Sequence, residues 1–364
     1  MRIALFHPCL IPAGIPRVFV NLARGFMERG HAVDLVQATP GGDFHSEVPE
    51  GVRLVDLNCR RALTSVIPLA RYLRREKPDV VISGAIQTNI AAVCATRIVR
   101  SRPELILTEH NIVSVVTKDA PMFRTRITPA LIRFFYPIAD EIVAVSEGAA
   151  ADLEKILRTP ARKVRVIYNP IISEQFWERA KAPLTDEVFQ SESRPIILAV
   201  GRLHYHKDYP TLLRAFARVR KKIDAKLVFL GSGEEQSALL QTARELKVER
   251  DVEFLGDVRN PLPYMKAASV LALSSKVEAL PTVLIEALAL GLPIVATDCP
   301  TGPGEILAGG VYGTLVPVGN DAELAGALLK VLSHPPAPAE PEALSRFQQD
   351  RVIDQYLALM PHRE

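Results

Sequence analysis

At 364 residues, with 48% hydrophobic and 23% charged side chains, the chain is long enough for two domains and too apolar to stay disordered. The formal net charge of +3 selects no partner class, but residues 1–180 carry 24 basic and 18 acidic side chains against 20 and 23 in the remainder, so the first half is the one able to face an anion, unless its arginines are simply dispersed over the surface. Cys9, Cys59, Cys94 and Cys299 form no Cys-x-x-Cys pair, which excludes a zinc knuckle or a dithiol motif and fits reduced thiols in cytosol.

Residues 3–7 read as a short apolar strand rather than a signal sequence, because Pro8 and Pro12 arrive before any long apolar run. Pro16 is expected to open a helix that ends at Gly30, and strands follow at 33–36, 79–83, 105–108 and 141–145, with helical stretches between several of them. A short strand at 164–168 ends this block. Residues 173–194 are polar and aperiodic, and the hinge is expected there. The same grammar then repeats: strands at 196–200, 226–230, 252–255, 270–273 and 293–297, with helices at 209–222, 234–246 and 282–290. Residues 334–341 form a proline-rich linker, and an amphipathic helix is expected over 342–360. No stretch reaches the ~18 unbroken apolar residues needed to span a bilayer. The order predicts two doubly wound α/β domains, 1–168 (with 342–364 returning to it) and 169–341. Ligands are expected at the carboxyl ends of the strands, in the cleft between them.

Several residues at those strand ends can carry chemistry. Glu278 and Glu286 are eight apart, one in a loop and one a turn into the helix that begins at Thr282. The free amides of Thr282 and Val283 attract a phosphate, and the carboxylates accept from sugar hydroxyls, although glutamates near a helix start also serve as dipole partners. Arg202 and Lys207 follow the strand at 196–200, where they either neutralise a diphosphate or remain solvated surface charge. His204 and His206 have no accompanying ligand cluster and are not read as metal ligands. Gly14 lies in the first strand-to-helix loop, open to close phosphate approach or an ordinary turn glycine, and 9–17 lacks a dinucleotide fingerprint. Gly231-Ser232-Gly233 lacks the Gly-Lys-Ser/Thr of a phosphate loop, which weighs against kinase and NTPase chemistry. His110 comes at the end of the strand at 105–108, where it either projects toward the cleft or is hydrogen-bonded within the scaffold, and Ser146 reads as the cap of the next helix.

Residues 274–298, with Glu278, Glu286 and the following Gly291-Leu292-Pro293, resemble the E-x7-E motif of retaining glycosyltransferases of the GT-B fold, family 4. Residues 200–203 with Lys207 look like that family's diphosphate-binding segment, 302–306 its following turn, and 166–170 its interdomain crossing. The resemblance covers nearly the whole chain. It implies that Glu286 holds the donor ribose, Glu278 contacts the donor sugar, Arg202 and Lys207 neutralise the diphosphate, and Thr282 and Val283 supply amides. It also implies that Gly14 approaches the donor and that His110 makes a catalytic contact. Two departures stand out: Ala13-Gly14 replaces the common Gly-Gly, and Glu278-Ala279-Leu280-Pro281 replaces Glu-Gly-Phe-Gly. Pro281 has no N–H, so the phosphate amides are assigned to Thr282 and Val283.

The implied reaction transfers a sugar from a nucleotide-diphosphate donor, UDP first among the bases, with retention and with no cofactor or divalent metal; no Asp-x-Asp is present. The expected acceptor is a glycan or a polyprenyl-linked sugar in cell-surface polysaccharide synthesis, at the cytoplasmic membrane face. Nucleic acid is not an expected partner. Residues 122–136 mix arginines with aromatics and are the candidate contact with an anionic membrane surface, against an ordinary core-facing helix. The competing classes are a nucleotide-sugar epimerase of the same fold and a catalytically silent partner subunit.

Overall fold

Runs such as 196–200 and 226–230 are almost wholly apolar, and such runs suit strands covered on both faces. The computed structural model describes residues 1–11, 14–100, 102–118, 127–158, 164–184, 186–190 and 193–361. It divides into two α/β units. One unit comprises Met1–Ile171 together with Arg346 and the residues after it; the other is Ile172–Ser345.

The first unit is built on parallel strands β1 (Arg2–His7), β2 (Ala32–Gln37), β3 (Arg53–Asp56), β4 (Val80–Gly84), β5 (Glu104–Glu109), β6 (Glu141–Ala144) and β7 (Val164–Val166). They lie in the order β3-β2-β1-β4-β5-β6-β7, with Ile3 opposite both Val33 and Val80. The order reverses between β1 and β4, so the loops after these two strands leave in opposite directions. Helices α1 (Gly14–Glu28), α2 (Val66–Glu76), α3 (Ile86–Ile98) and α4 (Glu147–Leu157) cover the sheet. Helix α1 begins at Gly14, two residues before the expected start, which places Pro16 inside its first turn. Ser146 caps α4 as expected, its Oγ accepting from the amide of Ala149 at 3.1 Å.

The segment expected as an aperiodic hinge is partly helical. Ser173 Oγ accepts from the Phe176 amide and caps α5 (Glu174–Ala180). The far end of α5 is tied to the rest of its unit, since Asn260 Nδ2 donates to the Arg179 carbonyl at 2.8 Å. Two helical turns are too short to print a period on the sequence. The second unit continues with β8 (Ile196–Val200), α6 (Tyr209–Arg220), β9 (Lys226–Leu230), α7 (Gln236–Glu245), β10 (Val252–Phe254), β11 (Val270–Leu273), α8 (Thr282–Ala289), β12 (Ile294–Thr297), β13 (Thr314–Val316) and α9 (Asp321–Ser333). Its parallel sheet runs β10-β9-β8-β11-β12-β13 and reverses between β8 and β11. None of the described helices is long and apolar enough to cross a membrane.

The single helix expected over 342–360 is instead two pieces. A 3-10 stretch, Pro341–Phe347, meets α10 (Gln349–Leu357) at Gln348, whose ψ of 133° is extended. The break frees the Phe347 carbonyl to accept from the Ile171 amide at 3.1 Å, while the buried Phe347 ring meets Tyr168 edge-on. Helix α10 then lies along α1. Gln349 Nε2 donates to Glu28 at 2.9 Å and Arg29 pairs with Asp350 at 3.1 Å. Gly25 makes the approach possible, for a Cβ there would stand 2.4 Å from Ile353 Cγ1. Gly25→Ala should therefore destabilise the protein by about 1–2 kcal/mol in urea unfolding, overpacking outweighing the ~1 kcal/mol of helix propensity gained. Added to Ile353→Ala, which vacates the space, the same change should cost nothing further.

Candidate active site

In the second unit the strand order reverses between β8 and β11, and the expected residues gather on the loops that leave their carboxyl ends. Lys207 Nζ stands 2.6 Å from Glu278 Oε1, and Ser275 Oγ donates to the same oxygen at 2.6 Å. The lysine loop is held by two further bonds: Ser274 Oγ donates to the Lys207 carbonyl at 2.7 Å and the Lys276 amide to the His206 carbonyl at 2.8 Å. Below them the loops after β8 and β9 touch backbone to backbone. A Cβ on Gly231, whose φ is +134°, would lie 2.2 Å from the Gly201 carbonyl oxygen, and one on Gly201 would meet Lys207 Cε at 3.1 Å. The Gly231-Ser232-Gly233 loop is thus a packing element, which is why it needs no phosphate-loop lysine.

Glu278 is clamped from its other side as well. Thr301 Oγ1 donates to the Glu278 carbonyl, and Gly302, with φ +86°, lets its turn close on Pro281, whose Cδ would be 2.7 Å from any Cβ there. Pro281 stands at the N-cap of α8 without a side-chain cap, and its carbonyl accepts from the Leu284 amide at 3.0 Å. Among the described residues the Thr282 and Val283 amides bond to nothing. Glu286 is buried on α8, one turn in. The carboxylate of Glu278 is also felt by its neighbours: it joins burial in pushing the Cys299 thiol up to about 12. Arg202 does not join this cluster. Its side chain is 72% exposed and pairs with Glu234 at 3.1 Å, where His204 Nε2 also approaches at 3.5 Å. The Glu234 carboxyl is held below its usual range by its own backbone amide and by the charges of Arg202 and His204.

In the first unit His110 directly follows β5. Thr108 Oγ1 donates to the Ser83 carbonyl at 3.0 Å, so it accepts from His110 Nε2 at 3.0 Å. The ring is therefore the Nε2–H tautomer, and its buried Nδ1 lone pair has no partner among the described residues. Burial, aided by the neighbouring His7, lowers His110 to about 3, so the ring stays neutral and acts as an acceptor of hydrogen bonds. His7, which ends β1, is lowered to about 4 by burial, and the Phe19 ring lies 5.0 Å from it and 6.0 Å from His110. Behind them stands Glu109, wholly buried and raised to about 7 by desolvation, which the bonds from Tyr136 Oη at 2.9 Å and from the amides of Asn111 and His110 at 3.1 Å only partly offset. Gly14 opens α1 at the surface, and a Cβ there would meet nothing within 4 Å, so no neighbour among the described residues requires a glycine.

Ser275, Thr301, Glu234 and Glu109 were not expected. Glu109, adjoining His110 at the end of an apolar strand, was the most legible of them, since a charged residue in such a run must be explained. Among the described residues no group of three or more His, Cys, Asp and Glu side chains could hold a metal ion.

The chain matches the model of "Glycosyl transferases group 1" over residues 184–348 and that of "Glycosyltransferase Family 4" over 12–175. It is 32% identical to an uncharacterized glycosyltransferase of Methanocaldococcus jannaschii, with 92% of this chain and 89% of that one covered. It is 35% identical, over 58% of its own length and 55% of the relative's, to the N-acetylgalactosamine-N,N'-diacetylbacillosaminyl-diphospho-undecaprenol 4-alpha-N-acetylgalactosaminyltransferase of Campylobacter jejuni. Among solved structures, Anabaena HepE in complex with UDP and glucose superposes with a TM-score of 0.79 at 20% identity, covering 98% of each chain.

The buried titrating groups set opposite pH dependences. The unfolded carboxyl of Glu109 ionises near 4.5 and the folded one at about 7, so its burial costs stability as pH rises between these values. The unfolded histidines ionise near 6.5 and the folded His7 and His110 at about 4 and about 3, so theirs costs stability as pH falls through that window. Glu109→Gln should remove the first effect. Urea unfolding at pH 5 and pH 8 should show the variant gaining about 1–3 kcal/mol relative to wild type at the higher pH. An unchanged difference between the two proteins would mean that Glu109 ionises as it does in the unfolded chain.

Proposed function

The chain belongs to the family 4, group 1 glycosyltransferases, and we propose that it moves a hexosyl group, with retention of anomeric configuration and without a metal, from a UDP-sugar to a hydroxyl of a glycan or lipid-linked sugar in cell-surface polysaccharide synthesis. The observation that carries this reading is the Lys207–Glu278 pair, 2.6 Å apart and adjoining the uncapped start of α8. Lys207 Nζ donates one hydrogen bond to Glu278, and its other N–H donors find no acceptor among the described residues. A diphosphate takes up those donors and the amides of Thr282 and Val283, and Arg202 adds a second cation by swinging from Glu234. Buried Glu286 accepts from the ribose hydroxyls, and Glu278 from the donor sugar.

The reaction then breaks the bond between the anomeric carbon and the diphosphate oxygen. The acceptor oxygen bonds to that carbon from the same face, and its proton passes to the departing diphosphate, which serves as the base. Lys207 and the helix amides stabilise the charge that builds on the leaving oxygens, the role a bound cation plays elsewhere. His110, neutral and with a free Nδ1 lone pair, accepts from a sugar hydroxyl, and Gly14 leaves room for a phosphate beside the backbone. The UDP-bound Anabaena structure supports the choice of base, and the diphospho-undecaprenol substrate in the name of the Campylobacter relative supports a lipid-linked acceptor.

Calorimetry with UDP, GDP and ADP tests the donor half of this reading. UDP should bind, Glu286→Ala should weaken it by about 1–3 kcal/mol, and Lys207→Ala should lower turnover of the UDP-sugar by about 10²–10³. Isomerised rather than transferred sugar would instead identify an epimerase. A folded wild-type protein that binds none of the three nucleotides would point to a silent partner subunit.

A further inference from the structure

A carboxylate buried at the end of an apolar strand needs a reason, and the bonds around Glu109 supply one. Each of the four groups bonded to it is a donor. Oε1 accepts from the backbone amides of His110 and Asn111, both at 3.1 Å, and from Asn111 Nδ2 at 3.3 Å, while Oε2 accepts from Tyr136 Oη at 2.9 Å. Tyr136 closes the segment 122–136, the candidate membrane contact. Residues 122–126 lie outside the described residues, and Tyr136 itself is wholly buried. Its hydroxyl accepts from Asn89 Nδ2 of α3 at 3.0 Å, and the same nitrogen donates to the Thr108 carbonyl at 3.0 Å.

His110 is thereby held at both ends. Its amide is bonded directly to Glu109, and its ring Nε2 to Thr108 Oγ1, on the residue whose carbonyl Asn89 grips. Only the buried Nδ1 is left without a partner among the described residues. These bonds suit an ionised carboxylate. A proton on Oε1 would stand against two amide N–H groups, and a proton on Oε2 would turn the Tyr136 hydroxyl away. The neighbour able to accept that hydroxyl is Asn89, whose Oδ1 has no partner, but turning its amide round withdraws Nδ2 from Thr108. The bonds therefore favour the charge and burial opposes it; burial prevails and raises the carboxyl to about 7. No ammonium or guanidinium among the described residues pairs with Glu109. The titratable groups that face it are Tyr136 and His110, with His7 at the end of β1 acting on His110 in turn, and its partner on β6 is Ala144. Both histidines ionise well below pH 7, so they stay neutral while Glu109 titrates.

We propose that Glu109 is a positioning residue for His110: its carboxylate clasps the turn after β5, so that the imidazole offers Nδ1 to a sugar hydroxyl from a fixed place, and protonating the carboxylate loosens that turn. The proposal deepens the reading of His110 given under the proposed function and rests on it for the identity of the hydroxyl.

Two measurements separate the clasp from the donor chemistry. In full-length protein carrying isotope-labelled histidine and free of substrate, nuclear magnetic resonance should find the His110 ring, identified by its loss in His110→Gln, neutral from about pH 5.5 to about 8.5, with signals that nevertheless move through an inflection near 7. Glu109→Gln keeps an acceptor for the amides but does not titrate, and should abolish the inflection. Tyr136→Phe removes a bond that favours the carboxylate, and should move the inflection to higher pH. In sugar transfer, wild-type kcat should fall as pH drops through the same inflection, Glu109→Gln should lose that limb, and Glu109→Ala should lower kcat about 10²-fold with UDP affinity unchanged. Wild-type His110 signals that do not move, or an inflection or acid limb that survives Glu109→Gln, would overturn the proposal. A wild type that binds no UDP would sink the donor reading instead, and the histidine signals would still decide the clasp.

Discussion

The arrangement of the second unit's functional edge rests on the seating of β8 between β9 and β11. Parallel pairing on both sides fixes β8, and the reversal of strand order between β8 and β11 opens a crevice between the loops that follow these two strands. Lys207 and Glu278 sit on these two loops, and the distance between them is set by the sheet rather than by the flexibility of a lysine. The bonds from Ser274 and Lys276 to the lysine loop, and from Ser275 and Thr301 to Glu278, then remove the remaining freedom. A cation held this way is preorganised, the property on which the donor chemistry proposed above relies.

The first unit solves a different problem. Three ionisable side chains, His7, Glu109 and His110, are buried at the ends of β1 and β5. Water would stabilise their charged forms, so burial without full compensation drives all three toward neutrality. Tyr136, Asn111 and the His110 amide satisfy Glu109, and Thr108 satisfies one nitrogen of His110. The other nitrogen is left over. A buried acceptor without a partner among the described residues costs stability.

How much of this was legible in the sequence follows from the physics of each element. Strands such as β8, β9 and β11 have the boundaries expected from the sequence, because both faces are covered and the runs are apolar apart from Lys226 at the start of β9. The edge strands β3 and β13 carry only two residues each that are not polar or charged, Leu54 and Val55 in one and Leu315 and Val316 in the other, and so give no apolar run to read. Helix α9 carried a signal that went unused: Asn320 and Glu323 cap one another, the side-chain amide donating at 2.7 Å and the backbone amide at 3.1 Å. At the site, spacing pointed to Lys207 and Glu278 individually, but their pairing depends on two loops 71 residues apart. Arg202 shows the converse limit. Its position after β8 was legible, while its turn toward Glu234 depends on a loop after β9 that no local pattern connects to it.

The return of α10 to α1 also bears on how the protein is made. The chain leaves the first unit at Ile171 and rejoins it at Arg346, so the second unit is an unbroken stretch inserted within the first. On the ribosome the inserted unit emerges whole and can close its own core early. The first unit emerges earlier but waits for its last helix, leaving Phe26 and the groove at Gly25 without their partners Tyr356 and Ile353 until the final residues of α10 are synthesised. Nascent-chain proteolysis should therefore find the unit made first to be the one that becomes resistant last.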